Sequence, residues 1–229
     1  AAFICGPTGN LLGSYYITQK GAGYSAKNGF SFVASADEWF SPIVAEVGPD
    51  GHLWIADWYN FIIQHNPTPS IGRGGYAARN GRGNAHINPN RDRQHGRIYR
   101  VVWEGAQKSK ITSLANASPL QLVEALDNDN LFWRQTAQRL IVNDRMFNKV
   151  EALQNRVLLP GVGAIHALWA LKGLDKINEN TIKSALKNKD AAVRRNAVRA
   201  LENKKTDEEL LYNSSTLTDK DFIVFSFIL

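Results

Sequence analysis

With 229 residues, 44% of them hydrophobic and 21% charged, the chain is long enough to bury one or two cores, and no segment is of low complexity. Its formal net charge of +6 and pI near 9.4 come from Lys and Arg spread over loops and helix faces with no continuous basic run, which argues against nucleic-acid binding. Cys5 is the single cysteine, which excludes a disulfide framework, a thiolate metal cluster and a haem attached through Cys-x-x-Cys-His in this chain, and no apolar run reaches the roughly 18 residues of a membrane span.

The chain begins as strands and turns. Ala2-Phe3-Ile4 is short and apolar, Gly6-Pro7-Thr8-Gly9-Asn10 is a turn cluster, and Tyr15-Tyr16-Ile17 is rich in β-formers. Gly21, Gly23, Asn28 and Gly29 interrupt the pattern before Phe30-Ser31-Phe32-Val33-Ala34-Ser35, which alternates as a half-buried strand does. An aromatic turn, Asp37-Glu38-Trp39-Phe40-Ser41-Pro42, leads into Ile43-Val44-Ala45-Glu46-Val47.

Val47 to His65 is the organising stretch. A turn at Pro49-Asp50-Gly51 precedes the alternating Leu53, Ile55 and Asp57, and a second apolar run, Phe61-Ile62-Ile63, follows Tyr59-Asn60, which predicts strand, hairpin, strand. Asp57 and Asn60 are expected as structural turn residues, because Asp and Asn side chains bond to the backbone of their own turn. From Asn66 to His95 the chain is rich in Pro, Gly, Asn and Arg, with Asp92 its one acidic residue, so a partner-facing or anion-facing loop is expected. Its glycines follow no strand and open no helix, so they are not a phosphate cradle. Gly96 to Trp103 reads as a last strand, with Ile98 and Arg100 on one face and Arg97, Tyr99 and Val101 on the other.

After Glu104-Gly105 glycine becomes scarce and apolar residues recur at helical spacing. Helices are expected over Ser118–Leu126, with Ser118 as N-cap and Pro119 in the first turn, then Leu131–Asn143, Met146–Leu158, Val162–Leu174, Asn178–Leu186 and Ala191–Asn203. Two more are expected from Asp207 and from Asp221. Residues Leu126, Asn128, Arg134, Ala137 and Arg139 recur as Leu186, Asn188, Arg194, Ala197 and Arg199 at an offset of 60, and Ala137, Ala167 and Ala197 stand 30 apart. Such a period, two helices to about 30 residues, predicts an α-solenoid. Arg134 and Arg194 then read as inter-repeat hydrogen-bond donors, and His166 as a packing residue.

The expected division is β over residues 1–105 and helical over 106–229. A propeller blade takes roughly 40–50 residues and a closed ring about four or more blades, so the β part suffices for two blades or a small sandwich. The helical part repeats the Leu186, Asp190, Val193 spacing at Leu217, Asp221 and Val224 and stops inside a repeat, so the chain is expected to be a portion of a longer protein.

Several short motifs occur in order: Phe3-Ile-Cys5-Gly-Pro-Thr-Gly-Asn10, Phe32-Val-Ala-Ser-Ala-Asp-Glu-Trp-Phe40-Ser-Pro42, Gly48-Pro-Asp-Gly51-His-Leu-Trp-Ile-Ala-Asp57, Ile63-Gln-His65 and Asp92-Arg-Gln-His95-Gly-Arg-Ile-Tyr-Arg100. With them the β part resembles the terminal blades of a β-propeller of the soluble glucose/sorbosone dehydrogenase type, a quinoprotein lineage in which HEAT-like helical repeats commonly follow the propeller. The resemblance implies an incomplete propeller followed by a HEAT-like α-solenoid, in a secreted or periplasmic protein of the cell envelope. It implies a pyrroloquinoline quinone (PQQ) cofactor, a sugar or alcohol substrate, and a cytochrome domain farther along. The catalytic base of such enzymes lies on earlier blades, so turnover is not expected from this chain alone.

His65, Arg91, His95 and Arg97 are the candidate cofactor-binding residues. The two histidines flank the Arg-rich loop, and Arg binds carboxylates bidentately, as a carboxylate-bearing quinone would need. Pairing of these arginines with Asp92 or with backbone carbonyls is the structural alternative. No metal site is expected. The competing function is a non-catalytic scaffold whose helical repeats dock a protein or glycan partner.

Overall fold

The structure is a computed structural model that describes residues 2–61, 63, 92–105, 113–201, 205–214 and 216–226. The chain divides into two compact units, one built on the strands and one on the helices.

Six strands are described: β1 (Ala2–Gly6), β2 (Leu11–Lys20), β3 (Gly23–Ala34), β4 (Pro42–Val47), β5 (Leu53–Asp57) and β6 (Arg97–Val101). They form two three-stranded sheets, in the orders β1-β2-β3 and β4-β5-β6. The first hairpin turns through Pro7–Gly9 and closes on Asn10, whose φ of 52° is the left-handed conformation that Asn tolerates. The hairpin between β4 and β5 turns at Gly51, φ +79°, where Gly48 N–H donates to His52 O at 2.9 Å.

Alternation decides what each sheet buries. Phe3 and Cys5 of β1, Leu12 of β2 and Phe32 of β3 pack with Ala45 of β4, Leu53 and Ile55 of β5 and Val101 of β6 in one apolar cluster. Leu12 and Ile55 are fully buried, each stabilising the unit by about 1.5–3 kcal/mol. The Phe3 and Phe32 rings meet at 4.9 Å between centroids.

The expected strand over Phe61–Ile63 does not form at its described residues, Phe61 and Ile63. Both edges of β5 are already taken: β4 pairs Pro42 to Asp57 and β6 pairs Arg97 to Asp57, so a hairpin partner from 61–63 has no edge to join.

Eight helices are described: α1 (Pro119–Ala125), α2 (Leu131–Asn143), α3 (Val150–Val157), α4 (Val162–Gly173), α5 (Glu179–Leu186), α6 (Ala191–Ala200), α7 (Lys205–Asn213) and α8 (Phe222–Ser226). Their starts follow from local chemistry. Ser118 and Gln121 make a reciprocal capping box on α1, and the side chains of Asn130, Asn178 and Asp190 accept the first backbone N–H groups of α2, α5 and α6. The span expected from Met146 opens instead with a 3-10 turn, Phe147–Lys149, before α3. Ala137, Ala167 and Ala197 are fully buried at equivalent points of α2, α4 and α6, and their small side chains let these helices lie against one another in order.

The expectation of a partial propeller followed by a HEAT-like α-solenoid is therefore corrected. Two three-stranded sheets close no propeller, because a blade needs about four strands and these six share one small core instead. The helices, five to thirteen residues long, gather one continuous cluster that runs from Leu114 to Val224. The result is a small mixed fold, not an extended array.

Candidate functional site

Of the residues singled out in the β part, Asp57, Asn60, His95 and Arg97 meet at one end of the β4-β5-β6 sheet. Asp57 closes β5 and Arg97 opens β6 directly opposite it, so the pleat puts both side chains on the same face. The Asp57 carboxylate is wholly buried; Oδ1 accepts the N–H of Ser41 at 2.7 Å and of Tyr59 at 2.9 Å, and Oδ2 accepts Arg97 Nε at 2.6 Å. Arg97 Nη1 donates to Asp37 Oδ2 at 2.7 Å. The guanidinium lies 4.4 Å from the centroid of the Tyr59 ring, which also stacks with Trp39 at 5.3 Å. Tyr59 holds a left-handed backbone, φ 54°, kept there by its N–H bond to Asp57 and by the rings around it.

The electrostatics are those of a neutralised pair. Burial works against the charged guanidinium of Arg97, but the bonds to Asp37 and Asp57 outweigh it and raise the Arg97 pKa. Arg97 and the Trp39 N–H hold the Asp37 carboxyl below its usual range, and burial raises the Tyr99 phenol.

Asn60 is buried beside this pair; Ser41 Oγ donates to its backbone O at 2.5 Å, and its Nδ2 donates to Asp92 O at 3.0 Å. The Asp92 carboxylate in turn accepts the N–H groups of Gln94 (2.7 Å) and His95 (2.9 Å) and contacts His95 Nδ1 at 2.6 Å. These bonds lower its pKa, that from Gln94 most.

Of the four candidate cofactor residues, His95 and Arg97 are brought together here, both against the Tyr59 ring. His65 and Arg91 lie outside the described residues. The described pair does not fit PQQ. Asp37, Asp57 and Asp92 stand around one guanidinium and one imidazole, each of which already meets a carboxylate. A quinone bearing several carboxylates would be repelled where it needs cations.

The helical unit carries a different surface. Gln135, Gln138, Arg139 and Val142 follow one another at i, i+3, i+4 and i+7 on α2, and His166, Trp169 and Gly173 do so on α4; together with Asn143 they line an open hollow of about 380 Å3. Three of its side chains, Gln138, His166 and Trp169, are fixed from behind. Arg134 Nε donates to His166 Nε2 at 3.3 Å and His166 Nδ1 bonds Gln138 Oε1 at 2.7 Å, which sets the imidazole as neutral with its proton on Nδ1. Burial first, and then Arg134, push the His166 pKa down. Trp169 Nε1 donates to Asn196 Oδ1 at 2.8 Å, and Arg199 of α6 lies 6.0 Å from the indole centroid. A second hollow, about 490 Å3, lies against α1; its described walls include Glu124 and Asp127.

Arg134 and Arg194 have matching geometry. Each donates through Nη1 to two carbonyls of the loop before its own helix, Asn128 and Asp129 or Asn188 and Lys189, and through Nε to a side chain later in the chain, His166 or Asp219. Sequence reading placed no function on Gln138, Arg139 or Trp169, although the signal was present: polar and aromatic residues at helical spacing on the stripe beside the buried alanines.

Among the described residues no group of three or more His, Cys, Asp or Glu side chains could hold a metal ion, and no helix is long and apolar enough to cross a membrane. No curated protein and no solved structure matches the chain. Residues 1–105 match a family described as "Domain of unknown function (DUF7133)".

Proposed function

We propose that this chain is a non-catalytic binding module whose helical unit docks a protein partner on the α2–α4 face. One observation carries the reading: the hollow there is lined by amides, a guanidinium and an indole, and bonds to His166 and Asn196 set the positions of its Gln138 and Trp169. Groups held in place before binding lose little conformational entropy when a partner arrives, which is what a recognition surface requires. The amide side chains of Gln135 and Asn143 and the guanidinium of Arg139 reach this surface without a hydrogen bond to another described residue. The oxidoreductase reading finds no comparable support, because His95 and Arg97, the two described candidates for the cofactor, each already meet a carboxylate.

The test is site-specific photo-cross-linking in the host cell with a benzophenone residue at position 143, against the same residue at position 208 on α7. A defined partner captured from 143 alone, and shown to bind the purified chain, is the expected result. Equal products from both positions, or none, would count against the proposal.

A further inference from the structure

The partner's chemistry follows from the two halves of the same hollow, and the inference rests on the binding reading above. Gln135, Arg139 and Asn143 stand at i, i+4 and i+8 of α2 and are all exposed, so about 6 Å of helix separates each from the next, with the guanidinium between the two amides. Arg139 makes no hydrogen bond or ion pair with another described residue. Among the described residues that line the hollow it is the one permanent cation, and none is a carboxylate. His166 adds no charge, because its Nε2 accepts from Arg134. The apolar half is supplied by Val142 and Trp169, both half-buried, and the indole is held through its N–H by Asn196. Gly173 lets α4 come close to α2 there, since a Cβ at 173 would stand 2.9 Å from Val142 Cγ2.

We infer that the hollow takes the C-terminal end of the partner's chain: its α-carboxylate on Arg139, its last peptide groups on the flanking amides, and its terminal apolar side chain against Val142 and Trp169. One unpaired guanidinium in a hollow without carboxylates selects a single anion, and its fork fits the two oxygens of a carboxylate. A chain end carries that charge on the backbone itself, so charge and peptide groups lie along one line, as Gln135, Arg139 and Asn143 do. A Glu side chain would instead hold its carboxylate away from the backbone. An extended chain advances about 3.3 Å per residue, so an amide about 6 Å from Arg139 meets the peptide group about two residues before the end. Side-chain amides both donate and accept, which is what a peptide group outside secondary structure needs. At about 380 Å3 the hollow is near the small end of ligand pockets, roughly 300–1,000 Å3, and so has room for a chain end but not for a folded surface.

The experiment is fluorescence anisotropy with the whole chain and a short Gly-Ser peptide ending in Ile-Leu, dye-labelled at its N-terminus and carrying a free C-terminal carboxylate. The account expects saturable binding, weakened at least about tenfold when the terminal carboxylate is amidated and equally by Arg139→Glu, with partial recovery in Arg139→Lys. Gly in place of the terminal Leu should weaken it at least about threefold. Lys189→Glu, an equal charge change in the exposed loop before α6, should shift it less than about twofold. Equal binding of the amidated peptide, or equal weakening by Arg139→Glu and Lys189→Glu, would overturn the inference. An amidated peptide with an internal Glu that binds as tightly as the free acid would also overturn it, by assigning the carboxylate to a side chain. Absence of peptide binding while position 143 still captures a defined protein would overturn the chain-end inference alone and leave the binding reading standing. Thermal unfolding of each variant checks that Arg139→Glu remains folded, as an exposed position should.

Discussion

Arg97 Nε meets Asp57 Oδ2 at 2.6 Å across the start of β6 and the end of β5, and the same guanidinium reaches Asp37 in the turn before β4. One side chain therefore ties together three segments separated by up to 60 residues. Its Nη2 is buried without a partner, and its other nitrogens face carboxylates, so the tie holds the sheet end together and does not present a cation to a ligand.

Removing the buried partner should be costly. Asp57→Ala leaves Arg97 half-neutralised and strips the acceptor from the N–H groups of Ser41 and Tyr59, so a loss on the order of 3 kcal/mol in denaturant unfolding is expected. Asp37→Ala, at an exposed carboxylate, should cost clearly less. Equal losses would show that the buried geometry is wrong.

His166 should make stability depend on pH. Its folded pKa is depressed, so the unfolded chain takes up a proton near pH ~6.5 that the folded chain refuses, and stability present above that pH is lost as pH falls through it. Protonation also removes the acceptor for Arg134. Urea midpoints of the wild type and His166→Gln, compared from pH 8 to 5.5, should converge on acidification; parallel curves would remove His166 from the account.

Gly163 tests the approach of α4 to the loop after α1. A Cβ there would fall within the carboxylate of Asp127, which is also held by Arg156 and has its pKa lowered chiefly by that partner. Gly163→Ala should therefore destabilise by about 1–3 kcal/mol, although Ala is the better helix former. Asp127→Ala in the same chain should recover part of the loss, and a stabilised Gly163→Ala would contradict the contact.

The helices were legible because their signals are local. Ser118, Asn130, Asn178 and Asp190 act through the first turn they cap, and the alanines at 137, 167 and 197 mark the buried stripe. The strands were legible as segments, but their pairing was not. Phe61-Ile62-Ile63 looked like the partner of β5 because it is next in sequence, whereas β6, 40 residues from Asp57 at Arg97, takes the edge. Nothing in either strand's own composition states that pairing. The propeller expectation failed for a related reason. Short motifs carrying Asp37, Asp57, His95 and Arg97 describe how strand ends are tied, and the same tie serves a pair of three-stranded sheets. The surface on α2 and α4 was overlooked because Gln, Arg and Trp at helical spacing read as an ordinary solvated face until His166 and Asn196 are seen to fix Gln138 and Trp169 from behind.

The central claim is that recognition takes place on the α2–α4 face and not at the Asp57–Arg97 cluster. Its most direct test is calorimetric titration of the partner captured at position 143 into the wild-type chain and into Arg139→Glu. The account predicts binding weakened at least about tenfold with an unchanged melting temperature. Full-strength binding by Arg139→Glu would contradict it.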